Sequence, residues 1–310
     1  MGDPSGIGPA IALKAINALR QVADFVLIGD AWVWGKVTRS PGHRVTGERF
    51  IDLNNVGHKD FEFGKIKAGY GRASVDYLDK ALELARKGEI DCLVTCPISK
   101  EAVNRGGLDF SGHTEYLAKR TNTEEFVMML LNKDLKISLV TRHIPLNDVS
   151  WKIDKRKIKN TIVITQRSLR RLFNIAHPRI AVCGLNPHAS DNGSIGDEEN
   201  KVIKPALKEL RLKIDAYIDG PISSDVAIFK AYKKEYDCVI AMYHDQALIP
   251  LKLLGSDTGV NMTLGLPFVR TSPLHGTAFD IARNYSRANP SSLIEAIKLA
   301  VECTLNQRKN

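Results

Sequence analysis

Cysteine is scarce. Five residues in 310, an odd number, do not make a closed disulfide framework. Cys92, Cys96, Cys183, Cys238 and Cys303 lie mostly in apolar runs and read as reduced core thiols. Cys92 and Cys96 lack the second CxxC-like pair that a thiolate zinc site needs. Long apolar runs are missing too: none approaches the roughly 18 uninterrupted residues that span a bilayer. The opening, Met1-Gly2-Asp3-Pro4, has no basic region followed by an apolar one, so no secretory leader is read there. Together these absences predict a cytoplasmic protein with no membrane partner.

Common nucleotide and nucleophile signatures are also absent. There is no G-x-x-x-x-G-K-[ST] loop and no G-x-S-x-G elbow, which removes P-loop chemistry and serine hydrolysis of the elbow type. Gly6-Ile7-Gly8 has no strand before it and runs at once into Pro9, so it is not a Rossmann turn. It reads either as a tight turn before a helix over 10–20 or as part of a ligand loop. Acidic residues are the minority, 35 against 44 basic ones, for a net charge of +9. The basic residues are interleaved with acids, as in Glu83-Leu84-Ala85-Arg86-Lys87-Gly88-Glu89, and the densest cluster, 152–159, reads as a solvated helix start. Nucleic acid is therefore not an expected partner. A positive field does suit a small anionic substrate.

What is present is an ordinary globular composition, 44% hydrophobic and 25% charged, long enough for one large or two medium domains. Apolar runs at 25–28, 92–95, 180–182 and 239–242 each lead into a polar loop. Helical patterns at 74–87, 157–173, 199–211 and 290–302 separate them. Such alternation predicts an α/β fold with a largely parallel sheet covered by helices. No internal repeat or low-complexity linker marks a boundary. Residues 264–278, with Gly265, Pro267, Pro273 and Gly276, read as a long structured loop, a kind that tends to be functional.

Three histidines stand out by their setting. His143 follows Ile137-Ser138-Leu139-Val140, His188 follows Ile180-Ala181-Val182-Cys183, and His244 follows Cys238-Val239-Ile240-Ala241. Each setting reads as a buried strand running out into a polar loop, where open α/β sheets bind ligands. A lone histidine is more often packed or solvated than a ligand. Three in matching positions make a plausible first shell for one divalent metal. Asp245 either orients the imidazole of His244 or caps the following turn. Gly112-His113-Thr114-Glu115 opens a helical stretch, where Thr114 is a cap or the helix end holds an anion. Lys252, among apolar neighbours, either snorkels or reaches into a site. Asn261 and Arg270 flank the long loop, and arginine suits bidentate recognition of carboxylate or phosphate. Taken singly, each of these reads as surface.

Six motifs occur in one order: Gly2-Asp3-Pro4-Ser5-Gly6-Ile7-Gly8-Pro9, Cys96-Pro97-Ile98-Ser99-Lys100, Gly112-His113-Thr114-Glu115, Gly184-Leu185-Asn186-Pro187-His188, Tyr243-His244-Asp245-Gln246 and Val260-Asn261-Met262-Thr263-Leu264-Gly265-Leu266-Pro267. Over essentially its whole length the chain resembles the 4-hydroxythreonine-4-phosphate dehydrogenase family of pyridoxal-phosphate biosynthesis. The resemblance implies two three-layer α/β/α domains of the isocitrate/isopropylmalate dehydrogenase type with a cleft between them. Residues 1–135 and 282–310 would form one, and 136–281 the other, with the metal ligands and the dimer interface. It implies a homodimer with a shared site and NAD- or NADP-dependent oxidation of 4-phosphooxy-L-threonine at its 3-hydroxyl, then decarboxylation to 3-amino-2-oxopropyl phosphate. His143, His188 and His244 match the family's ligands to one divalent ion (zinc, magnesium or cobalt). His113, Thr114, Lys252, Asn261 and Arg270 match its substrate contacts, and Asp225 matches an acidic residue near the metal. Asp225 and Lys252 are the candidates for proton transfer, and Lys100 carries no assigned role. His275-Gly276-Thr277-Ala278-Phe279-Asp280 is similar to the adenosine-side loop of isopropylmalate dehydrogenases, which implies cofactor contacts at Gly276, Thr277 and Asp280.

Some positions depart from the family pattern. Ala10 stands where glutamate is usual, Ala247 where glycine is, and Ser224 and Val226 where alanine and threonine flank Asp225. None removes a proposed ligand. They leave room for a sibling enzyme acting on a four-carbon sugar-acid phosphate such as D-erythronate or D-threonate 4-phosphate. A rival of another class is a metal- or nucleic-acid-binding protein without turnover. The apolar strand that usually precedes the first motif is not seen before Met1: either this start is assigned late or the first strand is truncated, which would unpair a sheet edge.

Overall fold

The computed structural model describes residues 1–38, 49–255 and 257–309. The chain forms two compact units, Met1–Asn122 with Pro267–Thr304, and Thr123–Leu266 with Leu305–Asn310.

The first unit begins with α1 (Gly8–Leu19). Pro9 sits in its first turn, where the missing N–H has no intrahelical partner to lose. Ile11, Ala15, Ile16 and Leu19 bury one face of it. Next come β1 (Val26–Gly29), α2 (Ala31–Thr38) and β2 (Arg49–Asp52), with β1 and β2 parallel. Then follow α3 (Ala68–Arg86), β3 (Cys92–Val94), α4 (Lys100–Arg105) and α5 (His113–Arg120). Helix α3 starts six residues before the pattern predicted. Gly69 and Gly71 are poor helix formers and hide its first turns. Packing rescues them: a Cβ on Gly71 would lie 2.2 Å from the Ala102 carbonyl, so only glycine lets α3 approach α4 this closely.

The second unit opens on a hairpin, β4 (Val127–Asn132) and β5 (Leu135–Leu139). The sheet is largely parallel, as expected, except that β4 runs antiparallel to β5 and also to β9 (Val260–Leu264). A connection of two residues, Lys133-Asp134, cannot make a parallel crossover. Beyond β5 come α6 (Val149–Lys152), α7 (Lys155–Phe173), β6 (Arg179–Cys183), α8 (Lys204–Arg211), β7 (Tyr217–Ile222), α9 (Ser224–Tyr232), β8 (Cys238–Ala241) and α10 (His244–Leu253), ahead of β9. Asp154 caps α7 by accepting from the Lys157 amide at 2.8 Å. Within this unit the strand order is β9-β4-β5-β8-β6-β7. The pairs β5–β8, β8–β6 and β6–β7 are parallel. Strand β8 is buried along its whole length, as is β6 after Arg179, which is why both read as unbroken apolar runs.

The chain then returns to the first unit through β10 (Val269–Pro273), parallel to β3, and ends in α11 (Ser291–Lys309). Strand β10 lies inside the segment read as a loop. Arg270, Thr271, Ser272 and Pro273 disguise it, yet all five of its residues are buried. Among the described residues, no helix is long and apolar enough to cross a membrane.

Two glycines of α3 give a matched test. Gly71→Ala should cost roughly 2 kcal/mol or more by overpacking, seen as a lower urea midpoint. Gly69→Ala, with open space at its Cβ, should leave the midpoint unchanged or raise it. Equal behaviour of the two variants would remove the close approach as the reason for Gly71.

Candidate active site

In the first unit, positive charge gathers at the start of α5. Arg270, the second residue of β10, is 1% exposed and donates from Nη2 to Thr95 Oγ1 at 2.7 Å. Burial pushes its pKa down to about 10, against the opposing charge of Glu115, so it stays charged at neutral pH. His113 opens α5, and its ring meets Phe110 edge-on at 5.9 Å between centroids. The ring bonds to the Cys96 backbone. Its Nε2 is shut off from solvent with no hydrogen-bond partner among the described residues. Burial first, then the charges of Arg270 and Lys100, hold this imidazole well below its ordinary 6.5. It is neutral at pH 7, and Nε2 is the ring nitrogen left without a hydrogen bond. Thr114 is buried beside it. Sequence reading treated Arg270 and Thr114 as surface when taken singly; both are buried, because β10 and the first turn of α5 are covered in the folded unit.

The loop that includes Gly276, Thr277 and Asp280 follows β10. Gly276 and Asp280 are exposed, and a Cβ on Gly276 would meet open space. Thr277 is braced by the N-terminal loop: its carbonyl accepts from the Ile7 amide at 2.9 Å, and a Cβ on Gly6 would lie 3.0 Å from that carbonyl oxygen. The glycines of the first motif thus allow two loops of this unit to touch.

In the second unit all three histidines follow parallel strands. Past the end of β5, the Val140 amide donates to the Ala241 carbonyl at 2.9 Å and the Thr141 amide to Met242 at 3.1 Å. The β5–β8 pairing therefore continues into both exits. His143 and His244 emerge side by side, with ring centroids 5.5 Å apart. His244 Nδ1 bonds Asp245 Oδ1 at 2.6 Å, which leaves Nε2 as the nitrogen available to a metal. Two imidazoles on one tetrahedral ion place their centroids roughly 5 Å apart, so this pair fits part of a divalent site by donor type and spacing. His188 is not gathered with them: among the described residues, no group of three His, Cys, Asp or Glu is arranged to hold a metal.

His188 begins a left-handed turn. Its φ is 53°, and Ala189, Ser190, Asp191 and Asn192 follow at 50°, 69°, 43° and 55°. This conformation costs roughly 1–2 kcal/mol for each L-residue, and it persists where surroundings over-determine it. Glu199, fully buried, anchors the segment just before this turn. Its Oε1 accepts from the Leu185 and Asn186 amides at 2.8 and 2.7 Å, and its Oε2 from the Asn186 side chain at 2.9 Å. Gln246 ties two exits together, accepting from the Met242 amide at 2.8 Å and donating to the Gly184 carbonyl at 2.9 Å. Sequence reading missed both residues. Gln246 had a signal, its place directly after His244-Asp245; Glu199 had none.

Asp225, exposed at the start of α9, is held below the usual carboxylate range, chiefly by the Ser223 hydroxyl, with His188 adding a smaller attraction. Asn261, on β9, has a buried Oδ1 without a partner among the described residues. Lys252, in the last turn of α10, is exposed.

The mixed α/β scaffold, with histidines following strands of the second unit and a neutral imidazole beside a buried arginine in the first, is that of a known enzyme family. The chain matches the family described as "Pyridoxal phosphate biosynthetic protein PdxA" over residues 15–300. It is 44% identical to the 4-hydroxythreonine-4-phosphate dehydrogenase of Sulfurihydrogenibium sp., covering 97% of this chain and 96% of that protein. It is 37% identical to the D-threonate 4-phosphate dehydrogenase of Pectobacterium atrosepticum, covering 97% of each. The solved 4-hydroxythreonine-4-phosphate dehydrogenase of Klebsiella pneumoniae superposes with a TM-score of 0.87 at 36% identity, over 98% of both chains. The isocitrate dehydrogenase of Methylococcus capsulatus, 13% identical, shares the fold with a TM-score of 0.53 over 99% of this chain and 85% of that one. The chain belongs to the PdxA family and is a dehydrogenase of that family.

The state of His113 has a measurable consequence. Its folded pKa is depressed, so the unfolded chain takes up a proton near pH 6.5 before the folded one does. Stability is therefore lost as the pH falls below about 6.5. The melting temperature of wild type should drop more steeply between pH 7 and 5 than that of His113→Gln, and parallel curves would exclude a buried neutral imidazole.

Proposed function

We propose that the chain oxidises 4-phosphooxy-L-threonine at its 3-hydroxyl with NAD or NADP and decarboxylates the product to 3-amino-2-oxopropyl phosphate, the step that serves pyridoxal-phosphate synthesis. The observation that carries this reading is the greater identity to a 4-hydroxythreonine-4-phosphate dehydrogenase, 44%, than to a D-threonate 4-phosphate dehydrogenase, 37%, over equal shares of the chain. The second reading, oxidation of D-threonate 4-phosphate, keeps a place because that relative too is similar from end to end.

The chemistry asks for an anion holder, an oriented hydroxyl and a proton acceptor. Arg270, Thr114 and His113 suit the anionic end of the substrate, and Lys252 and Asn261 are further contacts. Hydride leaves the carbon bearing the hydroxyl for the nicotinamide, and the hydroxyl proton passes to a base. The carboxyl group then departs as carbon dioxide, and a proton returns to the carbon that carried it. Asp225 is ionised at neutral pH and exposed, which fits it to take up a proton; Lys252 is the other candidate. His143, His188 and His244 would hold a divalent ion, whose Lewis acidity eases loss of the hydroxyl proton and stabilises the charge left by decarboxylation. Gly276, Thr277 and Asp280 would line the dinucleotide, Asp280 as an acceptor for a ribose hydroxyl.

The active unit is a homodimer with a shared site. Two observations support this. One chain brings His143 and His244 together without His188. The second unit also presents large apolar side chains to solvent, among them Leu146 at 72%, Trp151 at 86%, Phe229 at 59%, Ile249 at 60% and Leu253 at 83% exposed. A second copy would cover them.

Reduction of NAD and NADP, followed with 4-phosphooxy-L-threonine, D-threonate 4-phosphate and D-erythronate 4-phosphate, tests the activity. The first substrate should give the highest kcat/KM; a preference of tenfold or more for a sugar-acid phosphate would install the second reading.

Metal content and complementation test the site. His188→Ala should lose bound metal, measured by atomic emission, and full occupancy would remove His188 from the ligand set. Mixing His188→Ala with His244→Ala protein should restore up to about a quarter of wild-type activity, since half of randomly exchanged dimers are mixed and each holds one intact site of two. Proven subunit exchange with no recovery would exclude a division of these two histidines between subunits.

A further inference from the structure

We propose that Lys100 is a further substrate-binding residue, holding the phosphate group of the substrate together with His113, Arg270 and the N-terminus of α5. The inference rests on the reading of the substrate as a phosphorylated acid.

Several independent placements converge on Lys100. It is the first residue of α4, whose start is fixed by the Ser99 hydroxyl accepting from the Ala102 amide at 3.1 Å. Its side chain lies against the opening of α5: a Cβ on Gly112 would stand 3.6 Å from Lys100 Cε and 3.8 Å from Nζ. Gly112 is the N-cap residue of α5, so the ammonium lies near the N-terminal end of that helix, the end whose first backbone N–H groups have no intrahelical partners. Helix α5 has eight residues, enough for its dipole to favour an anion at this end. The third placement is His113, whose unpartnered, occluded Nε2 belongs to the same turn. Lys100 itself is exposed, and among the described residues no carboxylate lies within 4.0 Å of its ammonium.

The charge count selects the ligand. Two basic side chains, Lys100 and Arg270, act on His113 at the start of α5, while Glu115 supplies one nearby negative charge. A dianionic phosphate answers that excess better than a single carboxylate does. Lysine acts here as a compact point charge with three donors, and the arginine as a fixed fork. The two cations also favour the neutral form of His113. A neutral ring avoids a third positive charge in the cluster.

The test uses the full-length protein and inorganic phosphate, so it does not depend on which phosphorylated acid is oxidised. Calorimetric titration should show phosphate bound about tenfold more weakly by Lys100→Gln than by wild type, the loss of one charge-assisted contact. Lys100→Arg should stay within about twofold of wild type, because it keeps the charge. Lys298→Gln, an exposed lysine paired with Glu295, should bind phosphate as wild type does. In turnover with the preferred phosphorylated substrate, Lys100→Gln should raise KM for that substrate while the KM for the nicotinamide cofactor stays unchanged. Unchanged phosphate affinity in Lys100→Gln would overturn the proposal. Weakening by Lys298→Gln as large as by Lys100→Gln would also overturn it, since the effect would then be one of net charge. If instead no phosphorylated acid is oxidised but the titrations follow this pattern, the assignment of Lys100 stands and the proposed activity falls.

Discussion

Parallel pairing of β5, β8 and β6 is the constraint on which the second unit depends. Parallel neighbours in register finish at the same edge, so their exit loops emerge together. The backbone carries that pairing past the strand ends through Val140 and Thr141, and Gln246 fastens the loop after β8 to the loop after β6. The placing of His143 and His244 therefore follows from the sheet and not from any attraction between two imidazoles. Burial on both faces makes the arrangement rigid: β8 has no exposed residue, and β6 exposes only Arg179. A site built on such strands holds its geometry better than one built on a free loop.

The first unit solves a different problem. A guanidinium inside a fold costs several kcal/mol in lost hydration unless hydrogen bonds and charges compensate. Arg270 donates to the Thr95 hydroxyl oxygen and lies in the field of Glu115. His113 adds no further positive charge, because burial and its cationic neighbours keep it neutral. The outcome is concentrated positive potential beside a helix N-terminus, which an incoming anion completes. The net charge of +9 adds a field over the whole chain that draws such anions in.

The loop carrying His188 stands apart from both. Five consecutive non-glycine residues in the left-handed region are a local debt of several kcal/mol, and the buried Glu199 carboxylate holds the preceding segment in place by three hydrogen bonds. Strain of this kind collects where a side chain must be aimed. The membership of the chain in the PdxA family gives that strained histidine a context without altering the physical account of how it is held.

The residues by themselves determined a good deal. Alternating strand and helix patterns specified an α/β fold, because burial on both faces and burial on one face write different periods into a sequence. The setting of His143, His188 and His244 after apolar runs was legible for the same reason, and six ordered motifs carried the family. Other features stayed hidden. The antiparallel course of β4 depends on a two-residue turn whose sequence, Lys133-Asp134, is not a strong turn signal. Strand β10 and the buried Arg270 were unreadable because a charge in a strand is tolerated only when distant residues such as Thr95 receive it. Glu199 supports a loop more than ten residues before it, and no spacing rule links them. Only the tertiary structure decided which imidazoles meet, since that depends on strand order, and strand order is set by contacts among segments far apart in the chain.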